Sequence, residues 1–425
     1  MTSLEEITSS IDLFLEKGAD DRFDMIKEVL DFHIAGEDNN KMLLFFLLLG
    51  NFSPKLMNCV LVRGDSSGGK NHLVNNVLKL FPQKKVYIFD SATAAALRYD
   101  DDLAGNNILY LRELQEQITL VEFLKAFYND KLIHKETVRD PETGSQKVIT
   151  HEYDKMGIVT TFSFENIQID LVNRSWVLSP DQGHSQTTKI IEHTLDKERN
   201  LIMRSVKEQE IRDRSFFISQ CITALDFDYE PYICFVNKLR TLFPNEHLNV
   251  RRDMNKLIQL IKIICIWNQK SRRTLERGDD RFIFAEFKDL EMALRICQDL
   301  FLNVVLHIDS TKRLILDLAK VRQDMAEPEA GMPEEITITE AYEMLREQIG
   351  ITRKTVQRKM NDLFYEGYLL REKAGNKYVF TLLKGYDIIE ALNLNDLREE
   401  LETMVSNRYR YFTETNEEVL SFEQN

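Results

Sequence analysis

Short β-branched or aliphatic runs at residues 59–62, 86–89, 108–111, 158–161 and 176–178 alternate with longer stretches of helical spacing. Brief runs of β-branched and aliphatic residues suit strands, and helical intervals between them bring successive strands into register side by side. The pattern predicts an α/β core over residues 51–184, a mostly parallel sheet with helices on both faces. Ahead of it, Ile11, Leu13, Phe14, Met25, Ile26, Val29 and Leu30 fall at helical spacing. Gly36-Glu37-Asp38 breaks that spacing before a second apolar helix, so residues 1–50 read as a helical prefix. Residues 185–325 read as an all-helical lid, with long mixed-charge helices expected at 187–214 and 253–268.

Glu327-Pro328-Glu329-Ala330-Gly331-Met332-Pro333 has linker composition and marks 326–334 as a connector. In the unit that follows, 335–390, the order is helix (339–348), turn at Ile349-Gly350, helix (352–366), strand (368–372), turn at Ala374-Gly375-Asn376 and strand (377–382). That order predicts a winged helix. Residues 391–425 then read as the end of a helix and an acidic tail. No internal repeat or low-complexity tract is present.

The chain has 425 residues, with 69 acidic against 55 basic side chains and a net charge of −14. Its balance gives no general attraction to nucleic acid or anionic membrane, so any DNA contact must come from a local basic patch. One such patch lies between residues 352 and 377, where seven Lys and Arg outnumber three Asp and Glu. Arg353, Lys354 and Arg358 open the second helix of the winged unit, where they would meet phosphates and guanine edges, and Lys373 and Lys377 sit on the wing. Winged helices also serve protein contacts, and the spacing leaves both readings open. The five cysteines lack C-x-x-C spacing, which argues against a zinc site or disulfide framework. The most apolar run, 42–49, falls far short of the roughly 20 residues that span a bilayer. With no signal peptide at the start, the expectation is an intracellular protein, cytoplasmic or nucleoid-associated, without a membrane partner.

The strongest chemical signal is Gly64-Asp65-Ser66-Ser67-Gly68-Gly69-Lys70-Asn71, preceded by an apolar run and followed by a helix-like segment. Glycines there let backbone N–H groups turn inward around phosphates, the helix N-terminus adds partial positive charge, and Lys70 reaches the β and γ oxygens of ATP. The bland alternative is a chance glycine turn. The position after the lysine, which ordinarily offers Mg²⁺ a hydroxyl, holds Asn71, an amide able to coordinate through its carbonyl oxygen. Some forty residues on, the run 108–111 ends in Arg112-Glu113, where two acidic residues would ordinarily hold Mg²⁺ and polarise the attacking water. Glu113 keeps the second place; Arg112 occupies the first. Glu113 also reads as a solvated residue opening the next helix. Between residues 133 and 151, two alternating segments flank Asp140-Pro141-Glu142-Thr143-Gly144, strong turn chemistry for a hairpin. Lys135, Arg139 and Lys147 give it a basic edge that suits a nucleic acid strand, or an ordinary surface.

In this order, phosphate loop, acidic strand end, hairpin, polar-ended strand and helical lid resemble the AAA+ ATPases, in particular the branch with a hairpin before the sensor-1 strand and the MCM-type replicative helicases within it. The resemblance covers about residues 50–310. It implies a sensor at Thr161 or Ser163, a finger in Asp170-Leu171-Val172-Asn173-Arg174 that reaches a neighbour's nucleotide through Arg174, and a γ-phosphate sensor at Arg252, five residues before Leu257-Ile258. Either arginine also reads as a surface salt-bridge partner. A finger in trans implies a ring or filament of identical or related subunits, a hexamer in the family. The chain departs from the family at Arg112 and Asn71, shows no plain sensor asparagine and has no room in its first fifty residues for the family's N-terminal DNA-binding domain. A diverged replication ATPase of a mobile element or archaeal-type replicon fits these departures. The functional expectation is an ATP-binding protein acting on DNA in replication, as a helicase-like motor or an initiator or loader. Its rival is a DNA-binding scaffold that binds ATP without hydrolysing it; a transcription regulator with an ATP-dependent assembly state is the weaker third.

Overall fold

The computed structural model describes residues 4–65, 68–90, 100–103, 105–114, 132–139, 145–153, 155–163, 175–181, 183–240, 250–298, 310–325, 335–375, 377–383 and 394–414. The chain divides into two compact units, one of Met1–Cys234, Lys256–Ile296 and Met404–Asn425, the other of Phe235–Asn255 and Cys297–Thr403.

The first unit is built on a parallel sheet of five strands: β1 (Cys59–Arg63), β2 (Val86–Phe89), β3 (Ile108–Leu111), β6 (Gly157–Phe162) and β7 (Trp176–Leu178). Their order across the sheet is β2-β3-β6-β1-β7. Every residue of β3 and β6 is buried, as expected of strands covered on both faces, while β2 at the edge is only partly so. Val60 pairs with Val159 on one side and Trp176 on the other, and Leu109 pairs with Ile158. All five strands therefore end at one sheet edge, where an open α/β sheet presents its ligand site. Between β3 and β6 in sequence, β4 (Leu132–Arg139) and β5 (Gln146–Tyr153) pair antiparallel as a separate hairpin.

Three helices precede the sheet: α1 (Leu4–Leu15), α2 (Ala19–His33) and α3 (Asp38–Gly50). The apolar run that failed to reach membrane length is α3, buried without interruption from Lys41 to Gly50, because a helix that is apolar all round needs cover all round. Phe45 of α3 meets Phe81 and Trp267 at 5.3 and 5.6 Å between ring centres. Among the described residues no helix is long and apolar enough to cross a membrane. Gly157 opens β6 at a point where a Cβ would lie 1.9 Å from Cγ of Asn51, whose side-chain oxygen accepts the Asn58 N–H at 2.7 Å. Nothing larger than hydrogen fits there.

After the sheet the chain is less purely helical than its spacing suggests. The helix expected at 187–214 is two, α5 (His184–Arg199) and α6 (Leu201–Ala224), parted at Asn200, with α4 (Lys70–Leu78) lying earlier, after β1. A small sheet, ordered β8-β10-β9, is formed by β8 (Glu230–Tyr232), β9 (Thr274–Arg277) and β10 (Asp280–Phe284). Its strands are three to five residues long and carry charges, so they leave no period long enough to separate from helix surface. Short α7 (Val236–Leu239), long α8 (Val250–Trp267) and α9 (Phe287–Ile296) complete this stretch. Buried Arg22 of α2 donates to Asn268 at 2.6 Å, Asn268 to Asp289 at 2.7 Å, and Arg272 grips Asp289 by two bonds, fastening the prefix to the residues after α8 and to α9.

The second unit contains α10 (Ser310–Met325), β11 (Ile336–Thr337), α11 (Ile338–Ile349), α12 (Arg353–Tyr365), β12 (Leu369–Ala374) and β13 (Lys377–Leu382). The three strands form an antiparallel sheet ordered β11-β13-β12. Thr337 and Glu340 make a reciprocal cap on α11, Gly350 ends it at φ 63°, and Thr352 caps α12 through the Thr355 N–H. Ile315, Leu316 and Ala319 of α10, placed by their spacing in the lid segment, pack in one core with Ala341, Met360 and Phe380. A last helix, α13 (Leu394–Glu414), runs through most of the segment read as tail.

Candidate nucleotide and nucleic-acid sites

β1 leads into the phosphate loop and α4 leaves it. Gly64 N–H bonds the Phe162 carbonyl at 3.3 Å, and Gly68 N–H bonds that of Asp65 at 3.0 Å. Gly69 then takes φ 75°, a left-handed turn that glycine adopts without cost, to start the helix. Ser66 and Ser67 lie outside the described residues. Lys70 is 8 % exposed and folds its ammonium back across the loop, donating to the carbonyls of Gly64 at 2.7 Å and Asp65 at 2.5 Å. Among the described residues no side chain caps α4 at its N-terminus. The first amides of α4 and a buried cation thus converge where an anion would complete both, so the loop fits a triphosphate.

Asn71 is held from the sheet side. Its amide oxygen is placed 2.8 Å from the Thr161 hydroxyl and 3.1 Å from the Tyr110 hydroxyl, and Thr161 also contacts the Arg112 carbonyl. A hydroxyl has one proton and a carbonyl can only accept, so giving that proton to Arg112 leaves Thr161 as an acceptor toward Asn71. Turning the amide over removes the conflict at Thr161: its NH₂ then donates to the Thr161 hydroxyl oxygen, and its own oxygen faces away from it. Thr161 is almost wholly buried at the end of β6, whereas Ser163, just past the strand, is exposed and lies apart from this network. Burial pushes the Tyr110 phenol up, so it stays protonated.

Arg112 turns from the loop toward the sheet's other side and pairs with Asp90, at the end of β2, across 2.8 Å. Glu113 follows it, exposed. Asp90 and Tyr110 are residues that sequence reasoning missed; an acidic residue closing the run 86–89 was the available signal.

Asp65, Gly68, Gly69 and the α4 residues His72 and Asn76 form one wall of a cleft of about 930 Å³. The rest of the lining, also missed, comes from His33, Ile34, Ala35 and Glu37 where α2 gives way to α3, from Asp181 and Gln186, and from His193 and Arg204 on α5 and α6. Side chains fasten these pieces together. Glu37, left-handed at φ 56°, accepts the Asp181 N–H at 2.6 Å and the Asn40 amide at 2.7 Å, and Gln186 donates to the Ala35 carbonyl at 2.7 Å. Burial raises the Glu37 carboxyl above its ordinary value. His33 is pushed down to about 4 by burial, with Lys79, Arg204, His72 and His193 adding to the effect, so it is neutral at neutral pH. Among the described residues no group of three or more His, Cys, Asp and Glu could hold a metal ion.

In the hairpin, Lys135 is exposed opposite Thr150, while Arg139 pairs with Gln146 and Lys147 with Val138 beside the turn; the side chains of Arg139 and Lys147 lie outside the described residues. In the second unit Arg353, Lys354 and Arg358 are exposed on the first turns of α12, with Arg353 donating to Thr339 at 3.1 Å, and Lys373 and Lys377 are exposed on β12 and β13. Arg371 is occupied structurally, 4.3 Å over the Phe364 ring and bonded to Asn361 at 2.9 Å. Arg174 lies outside the described residues. Arg252 stands in the first turn of α8, and its side chain is likewise outside them.

A family model described as the MTBMA_p00010 P-loop domain matches residues 8–214, just under half of the chain. No curated protein matches. Among solved structures the chain is similar to one described as SCCmec type IV Cch, active helicase, at 12% identity, with 87% of this chain and 71% of that one covered and a TM-score of 0.34. It is similar also to Drosophila ORC bound to DNA, at 13% identity, 85% and 87% coverage and a TM-score of 0.24. A third is the Aeropyrum pernix ORC1 protein in complex with DNA, at 14% identity, 84% and 93% coverage and a TM-score of 0.20. Likeness at these scores decides nothing about activity. The sequence match, the glycine loop and the parallel sheet of five strands together give the chain an α/β P-loop core.

Proposed function

We propose that the chain binds ATP with Mg²⁺ at the phosphate loop and acts on DNA in replication, as a helicase-like motor or an initiator or loader. The observation that carries this reading is the Lys70 ammonium laid across the loop beside a helix N-terminus that no described side chain caps. In binding ATP, Lys70 exchanges two neutral carbonyls for phosphate oxygens, and the α4 amides gain charged acceptors. The turned-over Asn71 amide would offer Mg²⁺ a neutral oxygen, and the ion would supply charge neutralisation of the phosphate oxygens. Glu113 orients the attacking water; Thr161 holds Asn71 in place. Arg174 serves a neighbour's nucleotide and Arg252 senses the γ-phosphate. Lys135, Arg139 and Lys147 on the hairpin, and the exposed cations of α12, β12 and β13, contact DNA, the second unit acting as a winged helix. We place the protein in the cytoplasm or on the nucleoid, as an oligomer of MCM-like, hexameric form. Ile190, Ile191, Leu195, Ile202, Met203 and Val206, exposed by 48 to 81% along α5 and α6, support an interface between copies.

The second reading, a scaffold that binds ATP without turnover, is favoured by the Arg112–Asp90 pair, which puts a neutralised cation where the first carboxylate would stand. Steady-state ATPase assays with and without DNA separate the two. DNA-stimulated turnover that Glu113→Gln abolishes supports the motor; analogue binding without turnover supports the scaffold. Loss of neither binding nor turnover in Lys70→Ala would refute both.

A further inference from the structure

We infer that a second cleft in the first unit binds single-stranded nucleic acid. This cleft, of about 1120 Å³, is lined by the half-buried rings of Phe52 and Phe227, 5.5 Å apart between ring centres, and backed by Phe81, which is fully buried and 6.0 Å from Phe52. Phe216 of α6 stands at its rim, 64% exposed. Lys79, Lys84, Lys85, Lys197 and Arg212 edge the same cleft. Glu208, 3.6 Å from Arg212, is the one carboxylate among the described lining residues. Lys79 and Lys85 bond neutral oxygens, of Asn76 at 2.8 Å and Gly105 at 3.1 Å. Among the described residues no carboxylate pairs with Lys79, Lys84, Lys85 or Lys197.

In a chain of net charge −14, four lysines left without counter-charge around one aromatic groove select a polyanion. The rings narrow the choice. The exposed Phe216 ring beside point cations suits a backbone of phosphates whose bases are free to stack on it, and bases inside a duplex hide their faces. The cleft also shares His33, Lys79 and Lys197 with the nucleotide cleft. A strand drawn to Lys79 and Lys197 therefore alters the wall that a nucleotide meets, and by linkage the nucleotide alters affinity for the strand equally. That coupling rests on the proposed nucleotide site; the groove does not.

The test uses the full chain, a fluorescent oligothymidylate and anisotropy, with a nonhydrolysable ATP analogue titrated in parallel. Lys84→Gln with Lys85→Gln, both exposed and outside the nucleotide cleft, is expected to weaken the oligothymidylate about tenfold or more and to flatten the salt dependence by about 1.4 in logarithmic slope. Phe216→Ala is expected to weaken it about fivefold or more. Analogue affinity stays unchanged in both variants, which also shows that they fold. Undiminished oligothymidylate binding in both variants overturns the inference, as does a wild type that binds none. If polyglutamate competes as well as oligothymidylate and loses affinity equally in the variants, the groove is for an acidic protein segment and the inference fails. Analogue binding in the same preparation distinguishes these failures from failure of the nucleotide site.

Discussion

β1 and β3 stop at the same sheet edge, and each delivers a cation there, yet the two cations are held in opposite ways. Lys70 rests on two backbone carbonyls, neutral acceptors that surrender it readily to a phosphate. Arg112 is paired with a carboxylate, Asp90, and turned from the loop. What a charge can do at a site depends on what already holds it: one is poised to change partners, the other is settled. Thr161, on the strand between, touches both ends through Asn71 and the Arg112 carbonyl.

Removing the poised cation has the largest expected effect. Lys70→Ala loses charge-assisted bonds worth about 2–3 kcal/mol, so analogue affinity measured by calorimetry falls roughly 30- to 150-fold. Undoing the settled one comes next. Exchanging the pair as Asp90→Arg with Arg112→Asp returns an acid to the end of β3, and Mg²⁺-dependent turnover is expected to rise about tenfold, or about 1.4 kcal/mol of barrier. No gain would mean that the pair is not what limits turnover. Gly157→Ala forces β6 away from Asn51 and shifts both strand ends together, at about 1–3 kcal/mol of stability in denaturant titration. Thr161→Val keeps the shape and removes only the bridge, for about 1 kcal/mol. Asp90→Ala alone is the smallest, within about 1 kcal/mol, because both partners are partly solvated.

The contrast also separates what the chain declares in order from what it assembles. The loop is eight consecutive residues with a strand before and a helix after, so its chemistry is local and readable; so are strands β1, β3 and β6, whose burial on both faces leaves short runs rich in β-branched and aliphatic residues. The rest of the nucleotide cleft's lining is neither. His33, Glu37, Asp181, Gln186 and Arg204 meet only through bonds such as Glu37 to Asp181, 144 positions apart, and none carries a motif. Asp90 and Arg112 directly follow neighbouring strands, so their pairing depends on register that spacing does not give. Strands β8 to β10 and the placement of α10 escaped for the same reason, since short elements are fixed by partners far along the sequence.

Glu37 has a practical corollary for anyone trimming the protein. A fragment beginning at residue 51 keeps every glycine of the loop and the whole parallel sheet, but discards the clasp on Asp181 together with α3, whose Phe45 packs on Phe81 and Trp267. Such a fragment is expected to aggregate or to recover soluble with half a binding site, and the smallest autonomous nucleotide module has to start ahead of α2.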